Sequence, residues 1–200
     1  MPSTHQVTHS FPLPSYLSPE LVLEQLQNYE SLITPNPNLL KYNRRPVAVE
    51  ELIDDPFFTE TGSKLEAFEV TDRIILLPLA GFSSWCYKDV RIPAVFQSFE
   101  TGVRYRADAQ GGVRVWSTYE IRRRDPTTGS SAESVVVSPG AGDWELVEQA
   151  RVECSHLVKP FVIKNFESAH REICQRMIDE MVRTSAKDHL REMPPPVPVK

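Results

Sequence analysis

The segment WELVEQARVECSH, residues 144–156, alternates between apolar and polar side chains with a period of two. Leu146, Val152 and Cys154 fall on one parity, while Gln149 and Arg151 fall on the other. Successive side chains of a β-strand point to opposite faces of the sheet. The pattern therefore predicts a strand with one buried face and one face in water.

The residues after this strand change to a helical period. Pro160 suits the first turn of a helix, and apolar residues then recur every three or four positions as far as Thr184. They are Val162, Phe166, Ala169, Ile173, Met177 and Met181. A helix from Pro160 to Thr184 would be roughly 37 Å long at 1.5 Å per residue. A helix of that length with one apolar stripe needs a sheet to pack against.

The rest of the chain predicts elements that supply such a sheet. In order, they are a strand over 5–14, a helix from 19 to about 34, a short strand within 39–49, one helical turn in the loop after it, and strands over 64–77, 89–99, 103–109 and 113–124. Short turns join the last three strands and make an antiparallel meander. The sequence therefore predicts an α+β fold, in which a curved antiparallel sheet of about six or seven strands wraps around the long C-terminal helix.

Composition favours one globular domain. Two hundred residues, 40% hydrophobic and 24% charged, can bury a sizeable core, so we expect a single domain over 1–184 and a flexible, Pro-rich tail over 185–200. A net charge of −5 argues against a nucleic-acid surface. The three cysteines are not closely spaced, and the chain shows neither a secretory signal nor an apolar run that could span a bilayer. We expect a reduced, cytoplasmic protein without stable membrane insertion.

Two ionisable residues lie on the apolar parity of the 144–156 strand. Glu148 and His156 share the face of Leu146, and burying them costs free energy unless they are paired or hydrated. One interpretation is that they lie near the strand ends or beside a bulge that reverses the parity. The other is a polar corner in an apolar cavity. The inward parity of strand 113–124 adds two hydroxyls, those of Ser117 and Tyr119.

Six segments carry a family resemblance. They are NPN at 36–38, DPFF at 55–58, FEVTD at 68–72, VRIPAVFQ at 90–97, GVRYRADAQGGVRV at 102–115 and FESAHREIC at 166–174. With them the chain, up to about Thr184, resembles the START-like superfamily (SRPBCC, or helix-grip, proteins), and more narrowly an uncharacterised fungal family of that fold. The resemblance implies a deep apolar cavity between sheet and C-terminal helix. It also implies that the first strand lies beside the last, which would bring His5 or His9 close to the His156 end of that strand.

The sequence contains no familiar catalytic signature for a metal or nucleotide enzyme. We therefore predict no metal and no cofactor. The remaining route to catalysis is a cavity that holds a flexible apolar substrate in a reactive shape, while a few polar groups stabilise developing charge. The candidate catalytic residues are His156 as acid or base, Glu148 as a carboxylic acid with a raised pKa, and Tyr119 as a donor to a carbonyl oxygen.

The candidate ligand-binding residues follow from the predicted inward faces and from one loop. They are His9, Phe68, Trp85, Phe96, Val115, Ser117, Phe166, Ile173 and Met177. Most of these residues could equally be ordinary core residues that contact no ligand. Trp85 lies in an aromatic loop that either gates the cavity or folds back to cap the core. His170 lies on the flank of the helix stripe, which favours a surface or boundary role.

Three functions remain open at this point. The first is a small biosynthetic enzyme that promotes cyclisation, isomerisation or pericyclic (Diels–Alder-type) ring closure of a polyketide- or terpenoid-like intermediate, a class drawn partly by analogy with helix-grip proteins. The second is a non-catalytic carrier or sensor of a lipid-like molecule. The third, weaker one is a scaffold whose PPPVP tail recruits a partner. An enzyme predicts converging polar groups in the cavity, whereas a carrier predicts an almost wholly apolar one, and the inward polar residues favour the enzyme.

Overall fold

The structure is a computed structural model that describes residues 2–53, 55–58, 63–76, 86–124 and 141–192. Its elements are the strands β1 (Pro2–Pro14), β2 (Leu39–Arg45), β3 (Ser63–Leu76), β4 (Cys86–Phe99), β5 (Gly102–Ala109), β6 (Val113–Arg123) and β7 (Ala141–Ser155), and the helices α1 (Pro19–Gln27), α2 (Glu30–Ile33) and α3 (Lys159–Glu192). A 3₁₀ turn at Val49–Glu51 follows β2, where the sequence predicts one helical turn.

The seven strands form one curved antiparallel sheet in the order β1-β7-β6-β5-β4-β3-β2. The predicted α+β architecture, with a C-terminal helix against an antiparallel sheet, is confirmed at this level. β1 lies beside β7, so the first and last strands of the sheet in chain order are neighbours. The β5–β6 turn contains Gly111 and Gly112 with φ of 88° and 74°, a conformation that glycine adopts without steric cost.

The predicted parity of the 144–156 strand is confirmed for its inward face. Leu146, Glu148, Val152 and Cys154 are buried, and they alternate with the exposed Gln149 and Arg151. The outward face is not wholly in water, because Val147 is also buried. Burial of apolar surface on the inward face and on the α3 stripe stabilises the fold, at about 25 cal/mol per Å² removed from water.

Helix boundaries differ from the prediction in two places. The helix predicted from 19 to about 34 is interrupted at Asn28, whose φ and ψ of −85° and 89° lie outside the helical region. The next residue, Tyr29, is buried and its hydroxyl donates to the Lys64 carbonyl at 2.6 Å. α3 continues beyond Thr184 to Glu192, into the region predicted as a flexible tail. No helix in the described ranges combines the length and apolarity needed to cross a membrane.

Two predicted segments lie outside the described residues. They are residues 77–85, which include Trp85 and most of the aromatic loop predicted over 77–87, and residues 125–140, most of a long loop predicted over 125–143. The last residues of the tail, 193–200, also lie outside them.

Candidate functional site

A cavity of about 370 Å³ lies between the inner face of the sheet and the helices α2 and α3. Its volume falls within the range of about 300–1,000 Å³ typical of small-molecule sites. Most of its lining is apolar, and four of the predicted ligand-binding residues belong to it. These four are Phe96, Val115, Phe166 and Ile173.

Other predicted ligand-binding residues are buried but do not line the cavity. Phe68 packs edge-on against Phe96, with ring centroids 5.7 Å apart, and is part of the core. Met177 lies one turn of α3 beyond Ile173, past the end of the cavity. His9 and Ser117 lie behind the wall, in the polar cluster described next. Trp85 lies outside the described residues.

A fully buried carboxylate organises that polar cluster. Glu148 lies in the middle of β7, opposite His9 of β1 and Tyr119 of β6, and its exposed fraction is 0%. His9 Nδ1 donates to Oε2 at 2.9 Å, and Ser117 Oγ donates to Oε1 at 2.8 Å. His170 Nδ1 donates to Oε1 at 2.5 Å. Three donors from three elements therefore satisfy one carboxylate, which is what a buried charge requires. We call these four residues the Glu148 cluster.

The protonation state of Glu148 is the opposite of the one predicted. Burial alone would raise its pKa, but the charge and hydrogen bond of His170, with the hydrogen bonds of His9 and Ser117, hold the pKa well below its ordinary value. The prediction of a raised pKa considered only the apolar wall and is wrong. Glu148 is a carboxylate at neutral pH, so it accepts hydrogen bonds and does not serve as the proton donor.

His170 joins the Glu148 cluster to the cavity. Its ring stacks on Phe166, one turn earlier in α3, with centroids 3.8 Å apart, and both rings line the cavity. Nε2 lies 3.3 Å from the Tyr105 hydroxyl, and Nδ1 lies 3.2 Å from the Tyr119 hydroxyl. The side chain is only 14% exposed. Of the predicted surface or boundary role, the surface alternative is wrong, because the partly buried ring lies against Glu148 of β7 and the tyrosines of β5 and β6.

Two phenol groups complete the polar wall. Tyr105 and Tyr119 line the cavity with their rings stacked 6.1 Å apart. Burial, and next the negative charge of Glu148, raise the pKa of each phenol well above its ordinary value. Both hydroxyls therefore stay protonated and can donate hydrogen bonds. Tyr105 was not among the predicted site residues, although its parity with the apolar Val103 and Ala107 on β5 was a signal that could have found it.

His156 does not belong to the site, so its predicted role as a catalytic residue is wrong. β7 ends at Ser155, and His156 lies exposed in the turn before α3, where the alternation of the strand no longer applies. The resemblance implied that His5 or His9 would lie near the His156 end of β7. His9 instead pairs with Glu148 in the middle of β7, and only His5 lies toward that end. His5 is partly exposed and lies 3.7 Å from Glu167.

The cluster combines two histidines with one carboxylate, a set that also occurs in metal sites. Here the Nδ1 atom of each ring points at a carboxylate oxygen. Within the described ranges, no group of three or more His, Cys, Asp or Glu side chains is arranged to hold a metal ion.

The depressed pKa of Glu148 predicts how stability depends on pH. In the unfolded chain, Glu148 has an ordinary pKa near 4.5. Below that pH, the unfolded state binds a proton that the folded state excludes. The free energy of unfolding therefore decreases as the pH is lowered. One group contributes at most about 1.4 kcal/mol per pH unit. Urea denaturation between about pH 5 and pH 3 should therefore give a shallower slope for Glu148→Gln than for the wild type. Parallel plots of unfolding free energy against pH for the two proteins would contradict the lowered pKa of Glu148.

Comparisons with known proteins give a family and a fold. The chain is similar to the crystal structure of TTHA0849 from Thermus thermophilus, with a TM-score of 0.51 and 12% identity over 92% of this chain and 99% of that chain. At that identity the similarity shows the fold alone. No curated protein matches the sequence. The model of DUF7053, a domain of unknown function, matches residues 2–183, and the chain therefore belongs to the DUF7053 family.

Proposed function

We propose that this protein binds an apolar, carbonyl-bearing small molecule of the polyketide or terpenoid type and isomerises or cyclises it by proton transfer, without a cofactor. We also assign its fold to the START-like, helix-grip class. The observation that carries the proposal is the fully buried Glu148, hydrogen-bonded to His170 at the wall of an apolar cavity.

A purely structural role explains the Glu148 cluster poorly. A buried charged pair contributes little net stability, and apolar residues of similar volume often serve as well or better. A carboxylate that contacts imidazoles beside a cavity is, in contrast, a common arrangement for acid–base chemistry. The cluster also reaches the cavity, because its member His170 lines the cavity beside Tyr105 and Tyr119.

The geometry suggests a role for each group. The cycle starts from the neutral form of His170, in which Glu148 accepts the Nδ1 hydrogen bond and Nε2 is the basic nitrogen on the Tyr105 side. Nε2 removes a proton from a carbon next to the substrate carbonyl, and the bonding electron pair moves onto the carbonyl oxygen. A phenol of Tyr105 or Tyr119 donates a hydrogen bond to that oxyanion. The imidazolium, paired with Glu148, then returns the proton at a different carbon or at oxygen.

This cycle is balanced and needs no other reagent. The proton leaves one atom of the substrate and returns to another, so the product is an isomer. Where the enolate carbon attacks a second carbonyl of the same molecule, a ring forms and the imidazolium protonates the new alkoxide. The apolar lining would hold a flexible chain in the folded shape that this step requires.

A carrier or sensor is the second candidate, and the largely apolar lining favours it.

Hydrogen exchange on simple ketones distinguishes the proton-transfer enzyme from the carrier. Purified protein in D₂O is incubated with decan-2-one and with polycyclic ketones, and deuterium at the carbons next to the carbonyl is measured by mass spectrometry. We expect exchange faster than in buffer alone. Ketones that bind without accelerated exchange would exclude proton transfer and favour the carrier.

The location of the ligand is tested by filling the cavity. Ala107 lines the cavity from β5, and Ala107→Phe would place a ring in the space that the ligand occupies. We expect ketone affinity to fall at least about tenfold, since lost apolar contact is worth about 25 cal/mol per Å². Gln149→Phe adds the same side chain on the exposed face of β7 and should leave affinity unchanged. Isothermal titration measures both variants, and equal affinities would place the ligand elsewhere.

A further inference from the structure

A second polar group lies in the cavity, and the proton-transfer scheme does not use it. Asp72 is on β3 with the inward parity of Val70, is 8% exposed and lines the cavity. Asn36 Nδ2 donates to its Oδ2 at 2.8 Å. Within the described part of the chain, the buried Oδ1 has no hydrogen-bond partner. An acceptor left unsatisfied in this way is unfavourable, so its presence calls for an explanation.

The Asn36-Pro37-Asn38 segment, which belongs to the family resemblance, holds this carboxylate in place. Asn36 Oδ1 accepts a hydrogen bond from the backbone N–H of Asn38 at 2.9 Å, which fixes the side-chain amide. The Asn38 carbonyl accepts from the backbone N–H of Arg73 at 2.8 Å, next to Asp72 on β3. Arg176 of α3 donates to the Pro35 carbonyl at 3.1 Å. The turn is therefore tied to the sheet and to the helix, and it directs Asn36 at Asp72.

We infer that Asp72 and Asn36 form a second ligand-binding pole, which binds a hydroxyl group of the apolar ligand. A hydroxyl donates one hydrogen bond and accepts two. It can donate to the unpaired Oδ1 of Asp72, while the second N–H of Asn36 Nδ2 can donate to the hydroxyl oxygen. A ligand with a hydroxyl at one end and a carbonyl at the other would contact this second pole with its hydroxyl and the phenols of Tyr105 and Tyr119, the first pole, with its carbonyl. This inference rests on the proposed ligand cavity but not on the proposed catalysis.

The surrounding charges favour a neutral hydroxyl over an ammonium group. Lys88 lines the same cavity, and its ammonium group would repel a second cation there. Burial also raises the pKa of Asp72, and the hydrogen bond from Asn36 and the charge of His170 oppose that rise only in part.

The test compares three probes of the same length: decan-2-one, 10-hydroxydecan-2-one and 10-aminodecan-2-one. Isothermal titration should show that the wild type binds the hydroxy-ketone about tenfold more tightly than the ketone, as expected for a hydrogen bond to a charged acceptor. Asp72→Leu should abolish that preference and still bind decan-2-one. Asp72→Asn keeps one neutral acceptor and should retain a smaller preference. Asp89→Leu removes an exposed carboxylate on β4 and should leave the preference at its wild-type value.

Each other outcome overturns the inference in a recognisable way. If decan-2-one binds and the hydroxyl adds no affinity, the second pole is wrong while the cavity proposal stands. The hydroxyl assignment is also wrong if the amine binds more tightly than the alcohol. If none of the three probes binds, both the cavity proposal and the second pole are overturned. Retention of the preference in Asp72→Leu, with a normal unfolding transition, would place the hydroxyl elsewhere.

Discussion

Replacing His170 with glutamine is expected to lower the rate of ketone hydrogen exchange by about 10²–10⁴-fold, the usual contribution of a positioned acid–base group. The glutamine amide can still donate to Glu148, but it cannot carry a proton to and from the substrate. Affinity for decan-2-one should change much less, because the apolar lining that binds the chain is unaltered. Initial rates from mass spectrometry and affinities from titration separate the two effects.

His156→Gln is the matched control for this variant. His156 is exposed in the turn after β7, so its exchange rate should equal that of the wild type. An equal loss of rate in both variants would show that the effect is not specific to the cavity. Wild-type rates in His170→Gln would exclude His170 as the base, and with it the proposed mechanism.

Replacing Glu148 with glutamine is expected to lower the free energy of unfolding by about 2–4 kcal/mol at neutral pH. The carboxylate accepts hydrogen bonds from His9, His170 and Ser117 inside the protein. A glutamine has one acceptor oxygen, and its NH₂ group must face a donor, so at least one buried polar group loses its partner. Urea denaturation with linear extrapolation measures the loss.

Glu153→Gln provides the matched comparison on the same strand. Glu153 is partly exposed, and its oxygen lies 3.9 Å from Arg151, so its removal should cost less than about 1 kcal/mol. Equal losses in the two variants would contradict the central place of Glu148 in the fold. Glu148→Gln should also slow ketone exchange, because the imidazolium of His170 would lose its charged partner.

Local patterns in the sequence predict the sheet and much of its inner face. Alternation along 144–156 predicts a strand whose inward parity includes Glu148, and the same argument on β6 predicts Ser117 and Tyr119. All three residues are buried, and of the two interpretations of Glu148 the structure agrees with the polar corner rather than with a strand end or bulge. Parity succeeds here because a strand inside a sheet has only two faces, and the apolar residues identify which one is buried.

The same argument fails where an element ends. His156 has the parity of Glu148 but lies one residue beyond β7, where the chain turns and is exposed. The helical period places His170 on the flank of the apolar stripe, and only the fold shows that this flank faces Glu148 on β7. In neither case does the local period reveal whether the histidine is buried, because burial depends on where the strand ends and on which elements pack beside the helix.

The sequence by itself determined that an antiparallel sheet packs against a long C-terminal helix, because the periods of two and of three to four are local properties of the chain. Only the tertiary structure decided which polar groups meet. His9 and Glu148 are 139 positions apart, and Asn36 and Asp72 are 36 apart. Their contacts arise from strand register and from one turn, and the ionised state of Glu148 follows from those contacts, so no local pattern could predict it.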